Sequence, residues 1–185
     1  MPPNINRLLK ERGGIRLDIA CGAQKQGPDW VGMDIAPLPG VDIVHDINVH
    51  PWPLPDECVS IAVASHIIEH IPPVVIDGGK TRFPFLEFMD ELWRVMRVDG
   101  AAHLVAPHGS SQGYLQDPTH CNAINEATFV YFDPLDPVTN GLLYKCYRPK
   151  PWRIDRTDFT WNPVGNIECA LIKRRDDRSY HGEKD

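Results

Sequence analysis

Through its first hundred residues the chain alternates short apolar runs with polar segments marked by glycine and proline. Ile15 to Ile19 is such a run, and Trp30-Val31-Gly32-Met33-Asp34 and Val41-Asp42-Ile43-Val44-His45-Asp46-Ile47 each end in or near an acid. Val59 to Ala64 is almost continuously apolar, as strands buried on both faces of a parallel sheet are. From Phe85 the residues Phe88, Met89, Leu92, Trp93, Val95 and Met96 recur at spacings of three and four, which predicts a helix packed on the sheet and ended by Gly100. Ala101 to Ala106 then reads as a fifth strand that Pro107 stops. A short helix is expected from Asn4 to Arg12, closed by Gly13-Gly14. The prolines at 37, 39, 51, 53 and 55 keep the links around the third strand extended, and Ala23 to Asp29 is short for a helical crossover. Pro72 to Thr81, with Gly78-Gly79, reads as a lid or an ordinary flexible connection. Beyond Phe132, the segments Leu142 to Tyr147, Arg153 to Trp161 and Ile167 to Ile172 suggest an antiparallel hairpin closing the sheet.

This order of elements is that of an α/β fold whose strand ends face a crevice. After the first strand come the small residues Ala20-Cys21-Gly22, which allow close backbone approach by a ligand. After the second stands Asp34, placed to take ribose hydroxyls. No G-x-G-x-x-G can be drawn, because Gln24-Lys25-Gln26 occupies the region of the third glycine, so a dinucleotide cofactor is disfavoured. Asp34 and Asp46 on neighbouring strand ends suit a nucleoside without phosphate. S-adenosylmethionine, with its sulfonium and ammonium, welcomes the negative charge that a pyrophosphate would not.

The runs Leu17-Asp18-Ile19-Ala20-Cys21-Gly22, Gly32-Met33-Asp34, His45-Asp46-Ile47, Ser65-His66-Ile67-Ile68-Glu69-His70 and Glu91 to Gly100, in that order and spacing, resemble the class I S-adenosylmethionine-dependent methyltransferases over roughly the first two thirds of the chain. The resemblance implies a Rossmann-like, mostly parallel sheet with an antiparallel C-terminal hairpin and helices on both faces. It also implies that Asp18 helps hold the methionine ammonium, Asp34 with Ile35 the ribose, and Asp46 with Ile47 the adenine. Ala20, Gly22, Ser65 and His66 complete the expected cofactor contacts. Two departures are visible: Ala20 stands where family members usually carry glycine, and Asp99-Gly100 where they carry proline-glycine or glycine-glycine.

The expected organisation is one domain over residues 1–185: an N-terminal helix (1–14), a cofactor-binding core (15–106), an acceptor-side segment (107–141), a hairpin (142–172) and a polar tail (173–185). A net charge of −6 argues against broad nucleic-acid binding, and the basic cluster from Lys173 to Arg178 is interrupted by acids and reads as a solvated tail. The five cysteines are scattered, and none forms a C-x-x-C pair, which fits a reducing, cytoplasmic setting. There is no signal core or membrane span. His70, His108 and His120 are the candidates for a general base on the acceptor side, with His108 and His120 expected to face the crevice. His66-x-x-x-His70 with those two histidines lacks any established metal signature, so no metal is expected. The first reading is therefore methyl transfer from S-adenosylmethionine to an unidentified acceptor, a small molecule favoured. The alternative is a non-catalytic or regulatory S-adenosylmethionine-binding protein of the same fold, and an NAD-dependent oxidoreductase is disfavoured by the missing glycine.

Overall fold

A computed structural model describes residues 5–181, so Asn4 and the end of the polar tail lie outside the described residues. Helix α1 (Ile5–Arg12) stops where Gly13 turns to φ +70° and returns its N–H to Leu9. The strands β1 (Ile15–Ile19), β2 (Trp30–Asp34), β3 (Ile43–Val44) and β4 (Val59–Ser65) follow. A hairpin of β5 (Val75–Asp77) and β6 (Lys80–Arg82) comes next, then α2 (Pro84–Val95) and β7 (Met96–Pro107). The chain continues through α3 (Gln112–Leu115) and α4 (Tyr144–Tyr147) to β8 (Trp152–Trp161) and β9 (Asn166–Lys173).

Seven strands form one sheet in the order β3-β2-β1-β4-β7-β9-β8. The first five are parallel and the last two antiparallel, which is the α/β sheet with a C-terminal hairpin that the pattern predicts. The chain winds outward from β1 to β3 and then jumps back to β4, so the order reverses between β1 and β4. A parallel sheet opens a crevice at the carboxyl ends of its strands where the order reverses this way.

The connections are unusual for this architecture because the three crossovers from β1 through β4 carry no helix. The long link from β3 to β4 is pinned onto α2 instead. Glu91 accepts the Trp52 N–H at 2.6 Å, and Arg94 donates to Glu91, Asp56 and the carbonyl of Leu54. Trp52, 2% exposed, donates its indole N–H to the Ile47 carbonyl at 3.0 Å and so fixes the chain that follows β3.

Several expected boundaries move. The helix ends at Val95 rather than Gly100, because the chain goes directly into β7 through a bulge: Val59 pairs with Met96, but Ile61 already pairs with Ala101. Asp99 takes φ +63° in that bulge, and a Cβ on Gly100 would come within 3.0 Å of the Ser60 carbonyl oxygen, so glycine belongs there. Pro72 to Thr81 is no loose connection, since Gly78 and Gly79, both at positive φ, make the tight turn that primed hairpin turns require. Tyr144 to Tyr147 is a helical turn rather than part of the closing hairpin. Lys173 is not tail: it is 1% exposed, donates to the Met96 carbonyl at 2.8 Å and lies 3.9 Å from the centroid of the Trp93 ring. Arg174 likewise donates to the Trp152 carbonyl. Among the described residues no helix is long and apolar enough to cross a membrane.

Gly32 is where β2 meets the loop after β1. An added Cβ would lie 2.7 Å from Cys21 Sγ and 2.9 Å from the Gly40 carbonyl oxygen. Gly32→Ala should therefore destabilise the protein by about 1 to 3 kcal/mol in urea unfolding, the usual cost of overpacking against backbone; unchanged stability would mean that the loop shifts freely.

Candidate functional site

The carboxyl ends of β1, β2 and β3 are organised by aspartates that capture backbone amides. Asp34, ending β2, accepts the Gly22 N–H on one oxygen at 2.9 Å and the Ala36 N–H on the other at 3.0 Å. Asp18, 4% exposed within β1, accepts the Gln26 N–H at 2.8 Å, and Asp42 takes both the Gly32 N–H and the Lys25 ammonium. Asp46 accepts the Asn48 N–H and side-chain amide, closing the turn after β3. A carboxylate has about four lone-pair sites, so Asp34 and Asp46 keep acceptor capacity toward the solvent side.

These turns enclose a crevice of about 190 Å³ lined by Ala20, Asp34, Ile35, His45, Asp46, Ile47, Asn48, Ile67, His70 and Ile71. Six of the expected site residues are therefore brought to one place: Ala20, Asp34, Ile35, Asp46, Ile47 and His70. His45, Asn48, Ile67 and Ile71 were missed. Their signal was only adjacency to the acid-ended strands and to the Ser65–His70 run. Gly22 sits beside the crevice with its nitrogen held by Asp34, at φ +57°, and a Cβ built on it would meet nothing within 4 Å. The space before it is open.

The other expected residues stand apart from the crevice lining. The Asp18 carboxylate is turned under the loop from 20 to 26. Ser65 ends β4 and His66 follows at φ +54°, its N–H held by the Val105 carbonyl. That left-handed residue breaks the helical register expected to place His66 and His70 on one face, because only Ile68–His70 makes a 3₁₀ turn. The expectation that His108 faces the crevice is not met. Its Nδ1 accepts the Ser110 N–H, its Nε2 donates to Glu126 at 3.1 Å, and the residue is 7% exposed, so neither nitrogen is available as a base. His120 is packed between Tyr114 and His70, with ring centroids 5.4 and 4.6 Å away.

The field at this edge is negative. Burial and the charges of Asp18 and Asp34 push the Cys21 thiol up to about 11. A second, larger cavity of about 410 Å³ has an aromatic wall of Phe83, Phe85, Tyr131, Phe132 and Tyr147 and takes in Pro73, Val74 and Asn122. Ile71 belongs to the crevice and Pro73 to this cavity, so the segment after the 3₁₀ turn borders both.

No protein-family model matches the chain, and no curated protein is similar to it in sequence. Solved structures share its fold. An S-adenosylmethionine-dependent methyltransferase from Archaeoglobus fulgidus is 18% identical, with 91% of this chain and 92% of that one covered and a TM-score of 0.52. One from Aquifex aeolicus is 16% identical, with 92% and 90% covered and a TM-score of 0.50. A Haloferax volcanii methyltransferase complex with the activator Trm112 gives 8% identity, 92% and 94% coverage and a TM-score of 0.54.

Two outcomes test the site's physics without any ligand. Ala20 holds φ +55°, a left-handed conformation that costs a residue with a Cβ about 1 kcal/mol or more relative to glycine. Ala20→Gly should raise stability by about that amount in a chemical melt. Cys21, with its thiol raised to about 11, should alkylate with iodoacetamide far more slowly at pH 8 than free cysteine, and Asp34→Asn should speed it. Equal rates would remove the negative field.

Proposed function

We propose that this chain, whose fold is that of the class I S-adenosylmethionine-dependent methyltransferases, binds S-adenosylmethionine in the crevice at the ends of β1, β2 and β3 and transfers its methyl group to a small acceptor. The observation that carries this reading is the conjunction of Asp34 at the end of β2 with the open, amide-bound Gly22 turn in a negative field. A ribose diol needs a carboxylate whose outer lone pairs remain free, and Asp34 is held in that orientation by two backbone amides. Asp46 and the half-enclosed Ile47 wall suit an adenine edge. The open space at Gly22 leaves room for the methionine part, and the charge of Asp18 behind the loop favours its ammonium.

The cofactor, when bound, supplies a methyl group already activated by a sulfonium for in-line displacement. The chain's own contribution is alignment and exclusion of water. Ala20, Ile35, Ile67 and Ile71 give the crevice its apolar surface, and His45 and His70 are the histidines that line it, either of which can take a proton from an acceptor hydroxyl or amine. The aromatic cavity beyond Ile71 suits an acceptor with an apolar body. Nothing in the proposal requires nucleic acid or a membrane, and the balance of charge fits a soluble cytoplasmic enzyme.

Calorimetry with S-adenosylmethionine and its demethylated product tests the binding step. Asp34→Asn keeps one acceptor oxygen and should weaken binding by more than tenfold, as loss of a charge-assisted hydrogen bond worth about 1.5 to 3 kcal/mol requires. Asp18→Asn separates binding from stability. Burial raises the Asp18 carboxyl above its ordinary range, so its ionised form opposes folding as pH rises through that raised value. Asparagine still accepts the Gln26 N–H, so this variant should be at least as stable as the parent at pH 7 while binding more weakly. Wild-type affinity in both variants would end the assignment. Binding without turnover on a broad acceptor panel would favour the non-catalytic alternative.

A further inference from the structure

The turn after β4 and the loop from Asp117 to Asn122 meet on the backbone of Glu69. Its carbonyl oxygen accepts the N–H of Cys121 at 2.9 Å and of Asn122 at 3.0 Å, and the Asn122 amide donates to the Ile68 carbonyl. Two segments about fifty residues apart are thereby locked edge to edge. The lock brings one ligating atom each from Glu69, His70 and His120 within 4.8 Å of one another.

The Glu69 side chain is 1% exposed, and neither of its oxygens has a hydrogen-bond partner among the described residues. Its nearest charged or chargeable neighbours are His66 Nδ1 at 3.5 Å and His120 Nε2 at 3.9 Å. Buried carboxylates without donors are retained where a cation completes them, since burial otherwise favours an apolar side chain.

The histidines are oriented as ligands are. His120 Nδ1 donates to the Tyr114 carbonyl at 2.9 Å, which leaves the Nε2 lone pair free, 3.9 Å from Glu69 Oε1 and 3.8 Å from Asp117 Oδ2. The Thr119 hydroxyl donates to Asp117 at 2.6 Å, so at 3.0 Å from His70 Nδ1 it accepts, and His70 Nε2 is bare as well. Outer partners that fix a ring's tautomer in this way are the usual second layer of a metal site. Metal–ligand distances of about 2.0 to 2.2 Å require the three groups to close by roughly 1.5 Å, within the reach of side-chain rotation.

We propose that Glu69, His70 and His120 form a three-ligand site for a divalent transition-metal ion of the zinc class, with Thr119 and the Tyr114 carbonyl as positioning partners. Two imidazoles and one carboxylate suit zinc, cobalt or manganese rather than calcium or magnesium. Three protein ligands leave a coordination position open, and His70 borders the crevice, so that position is available to an oxygen of a bound molecule. The sequence places His70 and His120 in a histidine set without any established metal spacing, for which no metal is expected, and only the tertiary structure adds Glu69 to them and leaves out His66 and His108.

The test uses the whole chain, stripped with a chelator and titrated with Zn²⁺ against a chromophoric competitor, and with Co²⁺ read by its visible absorption. One equivalent should bind and raise the melting temperature, with a cobalt spectrum of four- or five-coordinate type. Glu69→Gln preserves the side chain's shape and His70→Ala alters only a half-buried ring. Each should weaken binding by more than the roughly 10- to 100-fold expected of the outer-shell variant Thr119→Val. In chelator, Glu69→Gln should melt no lower than the parent. His103→Gln, on β7, should bind as the parent does. Absence of a single tight equivalent, or parental affinity in Glu69→Gln and His70→Ala, would overturn the site in favour of adventitious surface binding. With metal bound, His70 Nε2 is a ligand and does not also take the acceptor's proton; neither cofactor nor acceptor enters the measurement, so failure of the metal site leaves cofactor binding and methyl transfer standing, and the reverse holds too.

Discussion

Capture of backbone amides by aspartate side chains is the interaction on which the crevice depends. In most sheets wound this way, crossover helices fix the strand ends and satisfy the amides around them. Here the first three crossovers are bare loops, and buried loop amides left unpaired would each cost roughly 1 to 3 kcal/mol. Asp18 and Asp34 supply acceptors to the loop after β1, Asp42 ties the start of β3 to the Gly32 amide of β2, and Asp46 closes the turn after β3. Trp52, Glu91 and Arg94 complete the frame by fastening the longest crossover to α2.

The same aspartates set the electrostatics. Burial raises the Asp18 carboxyl, and burial together with the charges of Asp18, Asp34 and Asp42 raises the Cys21 thiol, so it is the thiol that reports the negative charge gathered at this edge. Lys25 relieves part of it through Asp42. What remains is a negative crevice that favours a cationic ligand and disfavours a phosphate. Stability and ligand preference are therefore coupled most directly at Asp18, where neutralisation relieves a buried charge and removes part of the field that favours a cation.

Glu69 shows the same tension on the acceptor side. Its main-chain carbonyl welds the turn after β4 to the 117–122 loop, while its side chain is buried without a hydrogen bond among the described residues. The weld explains why His70 and His120, remote in sequence, touch. His108, one strand end away, is instead absorbed into its own loop by Ser110 and Glu126.

The strands, the long helix and the acid-ended turns were legible because each is a local pattern. Apolar runs such as Val59 to Ala64 cannot be buried any other way, and Asp34 follows a strand at a fixed distance. The parallel sheet, its hairpin, and the grouping of Asp34, Asp46 and Ile47 followed from that periodicity and from the resemblance it supports. Other features depended on contacts between distant segments. The helix end at Val95 is decided by a bulge against β4, and the burial of Lys173 by Trp93 and Met96. Whether a histidine is a base, a ligand or a loop fastener is decided by the carbonyls, hydroxyls and carboxylates that reach its two nitrogens. Those partners lie as far away as Thr119 does from His70, so residue type and spacing determine that a histidine is present, and only the tertiary structure decides which of its nitrogens is free.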